Sequence, residues 1–424
     1  MSLPLRNSLR NLFRQAFRLP QLYWESRAPV PVTARIPTDG RSVLIISCDP
    51  VEVVGSKGDE AMIIALIEKL QAEDAERRIS MFCNLHELPA SLRAFGIGLE
   101  RPWSAPWSLR YILSAIRHYD SVVIIGADML DGYYSLLGAA RYWVVANIAA
   151  RMGKTVVITG FSFNASPPRL LRTFMSPLQD SIHICLRDPV SRERFNRYVG
   201  IPGRAQLVAD MAFSLEPREP VTALSAWSQR KRDEARMAIG FNIHPMLFRR
   251  ATTEEIDKLV RASVRAISAA VELRFGAIAL IPHDYRPYPK GDVEVLERIY
   301  RALPAPVQRH CFLLEGHLHA AELKALAGHL DLVVTGRMHL AIASLGMGTP
   351  VAGITYQDKF QGLFQHFGLP AEFLAPASVL IEEERFEAWL LRAIDAQAAL
   401  KDKVGRHLVS VKELSRKNFS ALLT

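Results

Sequence analysis

Short apolar runs alternate with amphipathic stretches along most of this chain. Ser42–Cys48, Ile79–Cys83, Ser121–Ile125, Thr155–Thr159 and Ile182–Leu186 have strand length and few polar positions. Between them, Asp59–Gln71, Ser108–His118, Ser135–Arg151 and Val190–Tyr198 repeat apolar residues at helical spacing. The alternation pauses at polar Glu216–Glu234 and then restarts. Strands are expected at Met237–Ile243, Ala277–Ile281, Cys311–Leu314, Leu332–Val334 and Val351–Ile354. Helices are expected at Glu254–Arg274, Asp292–Ala302, His319–Ala327, Met338–Leu345 and Lys359–Phe367, with two more at Glu382–Leu400 and Val404–Leu422. Short strands apolar on both faces, alternating with helices, read as parallel βαβ units. The pattern therefore predicts an α/β protein of two doubly wound, Rossmann-like domains facing a cleft, residues 41–216 and 236–380. A linker is expected at 217–235, an arm and linker at 1–40, and separate C-terminal helices at 381–424. Ligands of such sheets bind beyond the carboxyl ends of the strands.

Composition sharpens this picture only in places. The 424 residues include 52 basic and 43 acidic side chains, a net charge of +9 that suits an anionic partner without naming one. No run approaches the ~18–20 apolar residues of a membrane-spanning helix. Cys48, Cys83, Cys185 and Cys311 are far apart and form no CxxC pair, so buried reduced thiols and a cytoplasmic location are expected. The charge is uneven: Arg6, Arg10, Arg14 and Arg18 recur every four residues beside Leu5, Leu9, Leu12, Phe13 and Phe17. That pattern fits a helix in residues 1–20 lying peripherally on an anionic membrane surface, or one docked on the protein's own body.

Candidate chemistry gathers at turns that follow strands. Gly55–Ala61 joins the first strand to the first helix, with Gly58 allowing close approach of a ligand and Asp59 placed to cap. Arg337 and His339 sit where a buried strand turns into a helix. There a guanidinium suits a carboxylate or phosphate, and an imidazole suits proton transfer. His283 and Asp284 end another strand, Arg187 and Asp188 a third, and Lys359 opens a helix. Each of these also fits an ordinary structural turn. GxSxG, HExxH and Walker A patterns are absent from the sequence, and the scattered basic residues outside the arm give no support for nucleic-acid binding.

Together these segments resemble the polysaccharide pyruvyl transferase family. The resemblance spans residues 42–370 and is carried most by Thr335-Gly336-Arg337-Met338-His339-Leu340 and by Gly348-Thr349-Pro350-Val351 with Tyr356, Lys359, Gly362 and Phe367-Gly368-Leu369. Gly58-Asp59-Glu60-Ala61, Leu186-Arg187-Asp188, Ala209–Phe213, Gly240–Ile243 and Pro282-His283 add to it. Two positions depart from the family pattern: Ser56 stands where an Asn is usual, and Gly126-Ala127-Asp128-Met129 replaces a glycine-rich stretch. The resemblance implies a glycosyltransferase-B-like fold and transfer of a pyruvyl group from phosphoenolpyruvate to a sugar of a polysaccharide or lipid-linked oligosaccharide, forming a ketal. It implies Arg337, Arg187 and Lys359 as donor-binding cations, Gly58 and Asp59 beside them, His339 as general acid and His283 as the other acid/base candidate. No metal and no cofactor beyond the phosphoenolpyruvate donor is expected. The alternatives are a sugar-nucleotide-dependent glycosyltransferase of similar fold and a non-catalytic carbohydrate- or lipid-carrier-binding homologue.

Overall fold

The computed structural model describes residues 18–29, 40–49, 52–101, 109–176, 178–219, 223–248, 251–355 and 359–423. They form two compact units, each built on one parallel sheet.

The sheet of the first unit has seven strands: β1 Ser42–Ile46, β2 Arg78–Phe82, β3 Gly98–Glu100, β4 Ser121–Ile124, β5 Thr155–Phe161, β6 Ile182–Leu186 and β7 Gln206–Leu207. Their order is β3-β2-β1-β4-β5-β6-β7, and each neighbouring pair is parallel. The second unit carries β8 Met237–Asn242, β9 Gly276–Leu280, β10 Cys311–Leu313, β11 Leu332–Thr335, β12 Val351–Thr355 and β13 Leu374–Pro376, in the order β10-β9-β8-β11-β12-β13. These too are all parallel. The central strands are buried on both faces, as their unbroken apolar sequences demand.

Four helices matter below: α1 Lys57–Glu73, α2 Leu136–Arg151, α3 Met338–Gly346 and α4 Lys359–Phe367. Ser135 starts α2 by accepting a hydrogen bond from Gly138 N, and Asp188 starts the helix Pro189–Val199 by accepting from Ser191 N. All four cysteines are buried and unbridged. Burial raises the Cys83, Cys185 and Cys311 thiols, the last two to about 12. Among the described residues, no helix is long and apolar enough to cross a membrane.

The units are not bounded as the sequence pattern suggested. The first comprises the described residues up to Val53, Leu66–Ala209 and the chain from Arg416; the second comprises Val54–Ala65 and Asp210–Ser415. The expected linker 217–235 contains a helix, Ala223–Asp233, which buries Leu224 and Trp227 while Gln229, Arg230 and Asp233 face solvent. Its exposed polar face is what made the segment look like a linker. The final residues are not a separate piece either. In the first unit, Asn418 accepts a hydrogen bond from Gly160 N at 2.7 Å and donates to Ala209 O at 2.9 Å. The last two long helices are Glu383–Asp395 and Gln397–Arg416, so the break falls near Ala396 and not after Leu400.

Of the arm, residues 1–17 lie outside the described residues. Residues 18–27 are helical, and Leu19 and Leu22 join the core of the first unit.

Candidate active site

In the second sheet the chain runs outward from β8 to β9 and β10 on one side, and to β11, β12 and β13 on the other. The strand order therefore reverses between β8 and β11, which is where open α/β sheets leave a crevice at their carboxyl edge. A recess of about 120 Å³ opens there. Each neighbouring strand end supplies part of its wall. His244 follows β8; His283 and Asp284 follow β9; Arg337 and His339 follow β11; Thr355 ends β12 and Lys359 follows it. Ser56 and Gly58, at the start of α1, complete it. All of these residues belong to the second unit.

The start of α1 explains why two of the sequence features sit where they do. Asp59 was expected to cap this helix, but the cap is Ser56. Its Oγ accepts from Asp59 N at 3.3 Å and donates to the Asp59 carboxylate at 2.9 Å. Ser and Asn are both favoured caps, so the first departure from the family pattern still supplies one. Gly58 is needed for a different reason. A Cβ built on it would stand 2.1 Å from Nδ1 of His339, so the imidazole occupies the space a side chain would take. On the other side of that ring, Nε2 lies 3.7 Å from Oδ2 of Asp210, a carboxylate only 2% exposed whose Oδ1 accepts from Ala212 N. His339 is thus wedged between a glycine and a buried carboxylate while still lining the recess.

Arg337 is held by two buried acids. Its Nε and Nη2 donate to Oδ1 of Asp292 at 2.9 and 2.6 Å, its Nη1 lies 3.2 Å from Asp284, and Nη2 also reaches Lys290 O. Asp284 further accepts from Arg286. Oδ2 of Asp292 accepts from Asn242 Nδ2 and from the backbone N–H groups of His283 and Asp284. Burial pushes the Asp292 carboxyl up, opposed by the charge of Arg337 and these donors. Because its named partners are all N–H donors, the ionised form is the one this geometry accommodates. The guanidinium charge is therefore offset locally, and the Arg337–Asp292 pair ties the end of β11 to the turn after β9.

The other two histidines are kept neutral. Burial pulls His283 well below the usual imidazole range, helped by the charges of His339, Arg337 and Lys57. Burial and then Arg337 do the same to His244. His244 Nε2 faces Gly336 O at 3.2 Å, and since a carbonyl only accepts, Nε2 carries the hydrogen. Beside the recess, Lys57 pairs with buried Glu60 at 2.6 Å, and Glu60 also meets His319 Nδ1 at 2.9 Å.

The structure thus brings together His339, His283, Arg337, Lys359 and Gly58 from the sequence reading, with Asp59 one residue behind the wall. Arg187 belongs to the first unit, where it is buried with Nε donating to Ser162 Oγ at 2.7 Å. Asp128 and its loop also belong to the first unit, where Asp128 accepts from the Tyr134 hydroxyl. Sequence reading did not single out His244, Asp292, Asp210 or Thr355. Asp210 stands inside one of the matching runs, and His244 directly follows another.

Fold comparison places the chain among two-domain Rossmann-like glycosyltransferases and sugar-nucleotide epimerases. A glycosyltransferase from Rickettsia africae aligns with a TM-score of 0.55 at 13% identity, over 91% of this chain and 98% of its own. The UDP-GlcNAc 2-epimerase of Neisseria meningitidis, solved with UDP-GlcNAc, aligns with a TM-score of 0.55 at 10% identity, over 90% and 99%. At such identities the likeness concerns the fold. The family is given by the sequence itself: residues 57–358 match the polysaccharide pyruvyl transferase model, and the chain belongs to that family. It is accordingly a transferase of polysaccharide modification with a glycosyltransferase-like fold.

Proposed function

We propose that this protein transfers a pyruvyl group from phosphoenolpyruvate to two hydroxyls of one sugar, releasing phosphate and leaving a cyclic ketal. The observation that carries this reading is His339, fixed between Gly58 and Asp210 in the recess within a chain of this family. Lys359 lines the same recess at the start of α4, and α3 begins beside it at Met338. A cation and helix-start N–H groups suit a donor that carries both phosphate and carboxylate. Lys359 and Arg337 both line the recess, and Arg337, held by Asp284 and Asp292, also organises its wall.

The chemistry divides between two imidazoles. Protonated His339 gives its proton to the donor's methylene carbon, and one sugar hydroxyl adds to the carbon beside it. His283, neutral by burial, accepts that hydroxyl's proton. His283 passes that proton to phosphate as the carbon–oxygen bond to phosphate breaks, and the second hydroxyl closes the ketal while its own proton recharges His339. Of the two hydroxyl protons lost, one ends in the new methyl group and one on phosphate. The acceptor sugar belongs to a polysaccharide or a lipid-linked oligosaccharide.

The test is incubation of the purified protein with phosphoenolpyruvate and candidate glycans, following free phosphate and acid-labile pyruvate on the glycan. Both should appear together and in equal amounts. Stabilisation and turnover with UDP- or GDP-sugars, with phosphoenolpyruvate untouched, would replace this reading by glycosyl transfer. Stabilisation by phosphoenolpyruvate without any product would replace it by a non-catalytic binder.

A further inference from the structure

We propose that the outward face of the helix at residues 18–27 is a docking surface for an anionic lipid bilayer. The inference goes beyond the transfer reaction and rests on the first unit alone.

The helix is fastened from within. Leu19, Leu22 and Ser26 are buried, and Arg151 at the end of α2 donates to Ser26 O at 2.8 Å and Ala28 O at 3.2 Å. At its other end, Arg18 acts on Arg141, ten residues earlier on α2, where burial and then this like charge pull the guanidinium pKa down. The helix therefore runs along α2, with its Arg18, Gln21, Trp24 and Arg27 at three-residue spacing turned outward.

Trp24 is 72% exposed in the middle of that stripe. An indole left in water on a well-packed scaffold is costly, and its natural place is the headgroup layer, where an amphipathic ring meets both phases. The charges along its helix are basic apart from Glu25. Arg27 lies over the Tyr23 ring at 3.7 Å and reaches Thr173 O, on the segment where Arg169, Arg172 and half-exposed Leu170 also face solvent. Glu25 is the only acid among the first 38 residues, and it accepts from Gln21. Arginines flanking exposed Trp and Leu fit a surface of phosphodiester headgroups over hydrocarbon. A nucleic acid would match the charge and leave the apolar groups unused.

The test is co-sedimentation of the full chain with vesicles of phosphatidylcholine, alone or mixed with phosphatidylglycerol. Binding is expected to the mixed vesicles at low salt, falling away as salt screens the charges. Arg18→Glu and Trp24→Ala should each weaken it by about tenfold or more. Arg18→Glu places a carboxylate beside Arg141 and Trp24→Ala removes an exposed side chain, so near-ultraviolet circular dichroism should report intact folds. Failure of the parent to sediment, equal binding to neutral vesicles, or variants that sediment like the parent would each overturn the proposal. Phosphate release from phosphoenolpyruvate with a soluble acceptor should be the same in parent and variants. A failed vesicle experiment therefore leaves the catalytic reading standing, and a failed phosphate assay leaves this one standing.

Discussion

At the scale of single residues, Gly58 is the most exacting position in the site. The space beside its Cα is filled by His339, so Gly58→Ala forces the imidazole out of its seat. The backbone there is ordinary helix, where Ala is the better former, but displacing a ring whose Cγ would lie 2.4 Å from the new Cβ outweighs that gain. Stability should therefore fall by about 1 kcal/mol while turnover falls roughly 10²-fold. Steady-state phosphate release beside urea unfolding separates the two effects. His339→Asn should lower turnover by ~10²–10⁴-fold with little change in donor affinity. Arg337 presents the opposite case. Its removal leaves Asp292, 0% exposed, without a cation, while Asp284 keeps Arg286. Arg337→Ala should therefore cost about 3–5 kcal/mol of stability, read by chemical denaturation. The Arg at this turn was visible in the sequence, but its partners were not. Asp292 follows His283 by nine residues, and only the fold shows that its carboxylate serves both the turn after β9 and Arg337.

At the scale of elements, the long buried strands announce themselves through unbroken apolar runs. The edge strands β3, β7 and β13 span only two or three residues and carry no apolar run, unlike the equally short edge strand β10, which the run Cys311–Leu314 marks. The helix Ala223–Asp233 was hidden by its own charge, with Arg230, Lys231 and Arg232 in its last turn. The strand ends also set a pH dependence. His244 and His283, at the turns after β8 and β9, have folded-state pKa values well below the 6.5 of an open chain. The unfolded chain thus binds more protons than the folded one below about pH 6.5, so stability rises with pH in that window and is complete above it. Unfolding free energy measured from about pH 7.5 down to pH 5 should decline, and His244→Gln should flatten part of the decline. An unchanged slope in that variant would remove His244 from the account.

At the scale of the whole molecule, sequence order and spatial grouping part company. Val54–Ala65 comes early in the chain yet groups with the second unit, and the chain from Arg416 groups with the first. A pattern read along the sequence assigns neighbours to one domain, which is why Gly58 and His339 did not appear as partners and why Arg187 was expected beside residues of the other unit. What the sequence did carry was the family: the Gly336-Arg337-Met338-His339 turn and the Gly58-Asp59-Glu60 helix start both fall within the matching residues 57–358. The central claim is that this site protonates the methylene carbon of a phosphoenolpyruvate donor. Its most direct test is the reaction run in deuterated water with a competent glycan, the product being examined by mass spectrometry and proton NMR. The account predicts a ketal whose methyl group carries one solvent deuterium, formed far more slowly by His339→Asn. A product that keeps the donor's methylene intact would contradict it.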